Sequence, residues 1–221
     1  MLNKLRKITF AFLISLLLCL TACSDDEVKK DEDSEKHYYI TPTPATKKAD
    51  DGINTSLPVC DTELVRLLVG SYYAALKNND MSRLSQLVSS PAALTEDIFK
   101  NYKNAESINV RHVYQLEGET PLDYIIYVYY ELKFKDIDTP VPSLDELYVT
   151  KNGDGYSIAN GTVSATAYGK VLDIAKNEQG VKELVDSVNR LFDKALQKDE
   201  ALKAYLTGSS DSNSSLNSDN L

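Results

Sequence analysis

The chain has no tryptophan, two histidines, two methionines and three cysteines among its 221 residues. Each shortage excludes something. His37 lies in a charged N-terminal stretch, which leaves His112 alone in the rest of the chain. No cysteine occurs beyond Cys60, so the residues of the main body assign no metal and no cofactor. Basic residues are also in deficit, 24 against 33 acidic, for a formal charge of −9. That balance excludes nucleic acid, whose affinity comes from neutralising phosphates, and a polybasic grip on anionic lipid. Long apolar runs are missing too. Ile8 to Leu20 is about 13 residues, short of the ~20 that span a bilayer.

That short run has informative flanks. Lys4, Arg6 and Lys7 precede it, and Leu20-Thr21-Ala22-Cys23 closes it. A basic start, a brief apolar stretch and small residues before a cleavage point make a secretory signal. The closing tetrapeptide resembles the lipobox of a bacterial lipoprotein signal. The resemblance implies that residues 1–22 are removed and that the Cys23 thiol carries diacylglycerol. The protein would then sit on the extracytoplasmic face of a bacterial cell membrane, held there by its lipid. Removal takes three basic residues and no acid, so the mature charge is −12. Cys19 leaves with the leader, Cys23 is lipidated and Cys60 stands alone, so no intramolecular disulfide is expected.

Composition divides the remainder. Residues 23–60 are charged and rich in Thr, Pro and Lys, with Thr41-Pro42-Thr43-Pro44 at the centre, and read as a disordered tether. Residues 207–221 are Ser, Asn, Asp and Gly with one threonine and two leucines, a tail by composition. Residues 61–206 are enough for one core.

Within that core the period changes twice. Leu64, Leu67, Leu68, Tyr72, Ala75 and Leu76 recur at helical spacing after Asp61, which is suited to capping the helix. Shorter helices are expected over 81–88 and 96–104. Alternation at period two then predicts strands over Ser107–Glu117 and Leu122–Lys135, and a hairpin over Glu146–Ala159 turning at Asn152-Gly153-Asp154-Gly155. That turn lacks the acidic run and distal glutamate of a calcium loop. Helical spacing returns over 165–177 and in one long segment from Gln179 to Leu206. Helices, an antiparallel meander and helices again define an α+β fold.

The run Tyr72-Tyr73-Ala74-Ala75-Leu76-Lys77-Asn78-Asn79-Asp80 followed by Met81 to Val88 resembles the opening of NTF2-like domains. The hairpin from Leu147 to Ile158, with Tyr156 near its end, resembles that family's closing strands. The resemblance covers 61–161 and implies a curved antiparallel sheet packed on N-terminal helices, forming a cone able to hold a pocket. The usual strand pair between the second and third helices has no room at Pro91–Thr95. Residues 162–206 form a C-terminal helical extension, similar to those of uncharacterised anchored lipoproteins of Gram-positive-type bacteria.

Candidate chemistry is sparse. His112, Tyr114, Tyr124 and Tyr130 share the even-numbered, core-facing positions and form the candidate pocket. Histidine is a common proton-transfer residue, so His112 could serve an enzyme, or it could be a core histidine bonded to a tyrosine or a carbonyl. Cys60 has no argued activator. Ile125, Tyr127 and Tyr129 occupy the opposite face as a candidate docking surface, for a protein, a glycan or a second copy in a homodimer, unless the C-terminal helices cover them. No catalytic residue is assigned. The expected function is binding of a small ligand or an envelope partner by a membrane-anchored domain. The alternatives are a small pocket enzyme using His112, or a dimerising accessory subunit of an envelope complex.

Overall fold

The computed structural model describes residues 51–160 and 167–214, without the side chains of 167–168 and 209–214. The expected signal peptide over 1–22, Cys23, the tether up to residue 50 and residues 215–221 of the expected tail lie outside the described residues, whereas residues 207–214, also expected as tail, are helical.

Helix α1 spans Glu63–Asn78 and buries Val65, Leu68, Val69, Tyr73 and Leu76. It ends where Asn79 turns left-handed, with φ 52°. Asp80 caps α2, Met81–Leu87, by accepting the Arg83 N–H at 2.8 Å. At the start of α1 the cap position belongs to Thr62, and Asp61 accepts Nε2 of Gln115 at 3.1 Å instead. The helix expected over 96–104 is one 3₁₀ turn, Glu96–Phe99, after another at Pro91–Ala93. A segment this short cannot repay helix nucleation, and docking of Phe99 into the core fixes it instead.

Four antiparallel strands follow in sequence order and curl into a half-barrel: β1 Ala105–Glu117, β2 Tyr124–Phe134, β3 Val141–Asn152 and β4 Gly155–Ile158. Strand β3 starts at Val141, five residues before the hairpin expected from Glu146. Pro142 is tolerated there because β4 pairs only with Val149–Asn152, leaving the other side of β3 open. The β3–β4 turn is the expected tight hairpin, with Gly153 at φ 56°.

The register of β1 against β2 slips between Val110 and His112, which oppose Tyr130 and Tyr129. Arg111 is therefore a bulge residue, and the alternation inverts beyond it. Ile108 and Val110 face an inner core with α1, whereas Tyr114 and Leu116 face an outer core. His112 goes with them, stacked on Tyr129 at 6.0 Å between ring centroids. The expected pocket is thereby split: Tyr124 and Tyr130 lie on the inner face, His112 and Tyr114 on the outer one.

Three helices close the chain: α3 Ala167–Ala175, α4 Gln179–Lys198 and α5 Glu200–Ser214. The single long helix expected to Leu206 breaks at Asp199. That carboxylate accepts the Leu202 N–H at 2.9 Å and the Thr139 N–H at 3.2 Å, so it starts a new helix and ties it to the loop before β3. Helix α4 packs along β3. Its first turns, with Val181, Leu184 and Val188, belong to the outer core, and its last turns, with Ala195 and Leu196, join the inner one.

Ile125 and Tyr129 are each 1% exposed and Tyr127 is 3% exposed. The candidate docking face is thus covered within the chain, because the apolar stripe of α4 needs a surface on which to bury. Residues 51–60 also belong to the fold and not to the tether. Ser187 Oγ accepts the Asn54 N–H and donates to the Asn54 carbonyl, at 3.1 and 3.0 Å. Thr55 Oγ1 donates to the Gly180 carbonyl at 2.6 Å, and Cys60 N–H donates to the Val113 carbonyl at 2.8 Å. This strap links α4 to β1, so the segments 61–161 and 162–206 share one two-sided core.

Candidate functional site

Polar groups gather at three places. The first is on the inner face, where β3 presents Asp145. Tyr73 of α1 donates to Asp145 Oδ2 at 2.7 Å, Tyr130 of β2 to Oδ1 at 3.2 Å, and Tyr102 to Oδ2 at 3.5 Å. The Tyr73 and Tyr130 rings lie 4.8 Å apart, and Tyr72 meets Tyr73 edge-on at 5.5 Å. Burial raises the Asp145 carboxyl above the usual carboxylate range, and the three hydroxyl bonds pull it partly back. Burial, followed by the Asp145 charge, pushes the phenols of Tyr73, Tyr102 and Tyr130 well up. Both carboxylate oxygens are engaged and the phenols stay protonated. Chemically this cluster is a polar brace that ties α1, β2 and β3 together.

The second place is on the outer face. His112 Nε2 meets Asp51 Oδ2, while Asp51 Oδ1 accepts the Ile53 N–H at 3.1 Å. Tyr129 stacks on the imidazole and Tyr114 lies beside it at 5.8 Å. Burial, followed by the Asp51 charge, pushes the Tyr114 phenol up to about 12. An imidazole–carboxylate pair can move a proton, but catalysis also needs a group for it to activate. Cys60 does not supply one. Its thiol is fully buried in the inner core, raised above its ordinary value by burial and turned toward the Thr62 carbonyl at 3.7 Å. The strand backbone separates it from His112.

Nearby on the outer face, Tyr127 donates to Glu146 at 2.7 Å. Burial raises this carboxyl as well, against the lowering effect of that bond.

The third place is a groove of about 390 Å³ between the far end of the β1–β2 pair and α3. Leu116, Ile125 and Val171 give it an apolar floor, and Glu117 and Glu178 line it.

Sequence reading picked His112, Tyr114, Tyr124 and Tyr130 and missed the carboxylates they serve or neighbour. Asp51 sits in a stretch with tether composition, and Asp145 lies one residue before the expected start of the hairpin. The available signal was the adjacent pair Asp145-Glu146, flanked by leucines in a strand pattern. On a sheet covered on both sides, both carboxylates must find partners. Among the described residues, no cluster of three or more metal-ligating side chains occurs, and no helix is long and apolar enough to cross a membrane.

The chain matches no family model, no curated protein and no solved structure.

Proposed function

We propose that this chain is a bacterial lipoprotein, anchored through Cys23 to the extracytoplasmic face of the cell membrane, whose folded body binds a small ligand or an envelope partner without catalysis. The observation that carries the reading is Leu20-Thr21-Ala22-Cys23, closing a basic and then apolar leader. The described residues begin at Asp51, 28 positions after Cys23. The mature charge of −12 keeps the body off an anionic surface, which leaves attachment to the lipid.

Binding is favoured over catalysis by how the interior polar groups are used. The carboxylates of Asp145 and Glu146 are engaged by tyrosine hydroxyls, and His112 is engaged by Asp51. These groups hold elements together. The NTF2-like reading draws support from α1 lying on the inner face of a curled antiparallel sheet. In place of the family's strand pair after the second helix, this chain has two 3₁₀ turns.

The test is Cys23→Ala, with membrane fractionation and labelling by an alkyne fatty acid. The wild type is expected in the membrane fraction carrying label, and the variant unlabelled and released or unprocessed. A variant processed and anchored as before overturns the reading.

The His112–Asp51 pair favours a second reading, a small pocket enzyme. A stable His112→Gln protein that loses a turnover shown by the wild type would establish it.

A further inference from the structure

The chain contains two Asn-Gly steps, Asn152-Gly153 in the β3–β4 turn and Asn160-Gly161 just past β4. An asparagine before a glycine is suited to an internal reaction. The next backbone nitrogen can reach the side-chain carbonyl carbon and close a five-membered ring. Glycine has no Cβ to hinder the approach and bends easily into the required conformation. Sequence makes the two steps equal, and the fold separates them.

Asn160 is pinned. Its Oδ1 accepts the Ser90 N–H at 2.7 Å, and its Nδ2 donates to the Ser90 carbonyl at 2.8 Å. Its own N–H donates to Ser89 Oγ at 3.4 Å. The carboxamide thus serves a backbone donor and a backbone acceptor at once, and turning it toward the following nitrogen breaks both bonds. Asn152 has no such restraint. It is exposed, and its side chain makes no hydrogen bond among the described residues. Gly153 sits in the turn at φ 56°, and no backbone bond engages its N–H. A Cβ placed on it would meet nothing within 4 Å, so the space that the ring needs is open.

We infer that Asn152 is a site of spontaneous covalent modification, cyclising onto Gly153 and opening to aspartate and isoaspartate, while the fold holds Asn160 back. The Gly153 nitrogen gives its proton to hydroxide and bonds to Asn152 Cγ. The Cγ–Nδ2 bond breaks, ammonia leaves and a succinimide remains. Water then adds at one of the two ring carbonyls. Addition at Cγ breaks its bond to the Gly153 nitrogen and gives aspartate. Addition at the backbone carbonyl carbon breaks the old peptide bond and gives isoaspartate, with the chain rerouted through Cγ. One water is consumed and one ammonia released, with no oxidant or reductant.

Either product puts a new negative charge at the hairpin tip, two residues from Asp154. Isoaspartate also lengthens the backbone by a methylene where Asn152 opposes Gly155, the last of the four pairs that join β4 to β3. The other end of β4 is fastened separately. The Ser89 N–H donates to the Ile158 carbonyl at 2.9 Å, and the Ala159 N–H to the Tyr148 carbonyl at 2.8 Å. The turn therefore loosens while the strand stays in place. This chemistry is independent of the lipid anchor and of any ligand.

The test incubates the full chain carrying Cys23→Ala in mildly alkaline buffer, native and in urea, and follows both asparagines by peptide mapping with chromatography and mass spectrometry. In the native chain Asn152 is expected to convert at least tenfold faster than Asn160. In urea the two should convert at similar rates, because only the fold tells them apart. Asn152→Gln, whose longer side chain would have to close a six-membered ring, should leave position 152 unmodified and Asn160 as slow as before. Exchange of the Gly155 amide should quicken as product accumulates. Equal native rates at the two asparagines, or an Asn152 that converts at least tenfold more slowly in the native chain than in urea, overturns the inference.

Discussion

His112 of β1 meets Asp51 across 61 residues of chain, on the face of the sheet opposite to its near neighbour Val110. The bulge at Arg111 sets that face, and the strap of residues 51–60 brings the carboxylate to it. The side chains are 20% and 11% exposed. In this position the pair locks the entry of the N-terminal segment onto the sheet. Replacing His112 by Gln, or Asp51 by Asn, is expected to cost about 1–2 kcal/mol. A double-mutant cycle in urea should give a coupling of roughly 0.5–3 kcal/mol. Additive effects of the two substitutions would show that the contact holds nothing.

Tyr73→Phe removes a hydroxyl that donates to Asp145 at 2.7 Å, and Tyr102→Phe removes one at 3.5 Å. A hydrogen bond to a charged acceptor is worth about 1.5–3 kcal/mol. Tyr73→Phe should lose that much in chemical denaturation, and Tyr102→Phe clearly less. Equal losses would mean that the hydroxyls are interchangeable and the short bond carries no special share.

Burial, the largest influence on Asp145, holds its carboxyl above the ordinary carboxylate range in the folded state. As pH rises, the unfolded chain therefore releases this proton first. The contribution of Asp145 to stability is fully present below the unfolded pKa of about 4 and is lost as pH climbs through the folded value. Asp145→Asn removes the titration. The stability of the wild type minus that of the variant should be greatest near pH ~4 and shrink toward pH ~7. A difference that grows with pH would reverse the assignment.

Gly180 is where α4 and the strap come closest. A Cβ there would lie 3.0 Å from the Leu57 backbone nitrogen, from Leu57 Cγ and from Ser56 Oγ. The backbone nitrogen cannot swing away as a side-chain tip can. Gly180→Ala should cost about 1–3 kcal/mol through this overpacking. Hydrogen exchange should quicken first at Asn54 and Ser56. An unchanged exchange pattern would mean that the strap has room to move.

Ending the chain at Gly161 strips α3 and the first turns of α4 from the outer face, and the end of α4 with α5 from the inner one. Ile125, Tyr127, Tyr129 and Tyr148 would meet water, each losing roughly 1.5–3 kcal/mol of burial. Together these approach the whole ~5–15 kcal/mol that keeps a domain folded. A 51–161 fragment is expected to be insoluble or self-associated in size-exclusion chromatography. A soluble monomer with cooperative unfolding would show that the sheet stands without its outer helices.

The sequence by itself determined the α+β class, the helix from Glu63, the β1–β2 pair, the tight turn at Gly153 and the amphipathic segment from Gln179. These follow from periodicity and turn chemistry, which act over a few residues and are written locally. The tertiary structure decided the rest. It inverted β1 at Arg111, because a bulge adds one residue to a strand without changing its composition. It put Asp145 under three tyrosine hydroxyls and Asp51 against His112, because burial sets which distant groups must satisfy one another. It drew residues 51–60 into the fold through hydrogen bonds to backbone carbonyls that polar composition does not reveal. It covered Ile125, Tyr127 and Tyr129 with α4, because two apolar surfaces in one chain lose less to water together than apart.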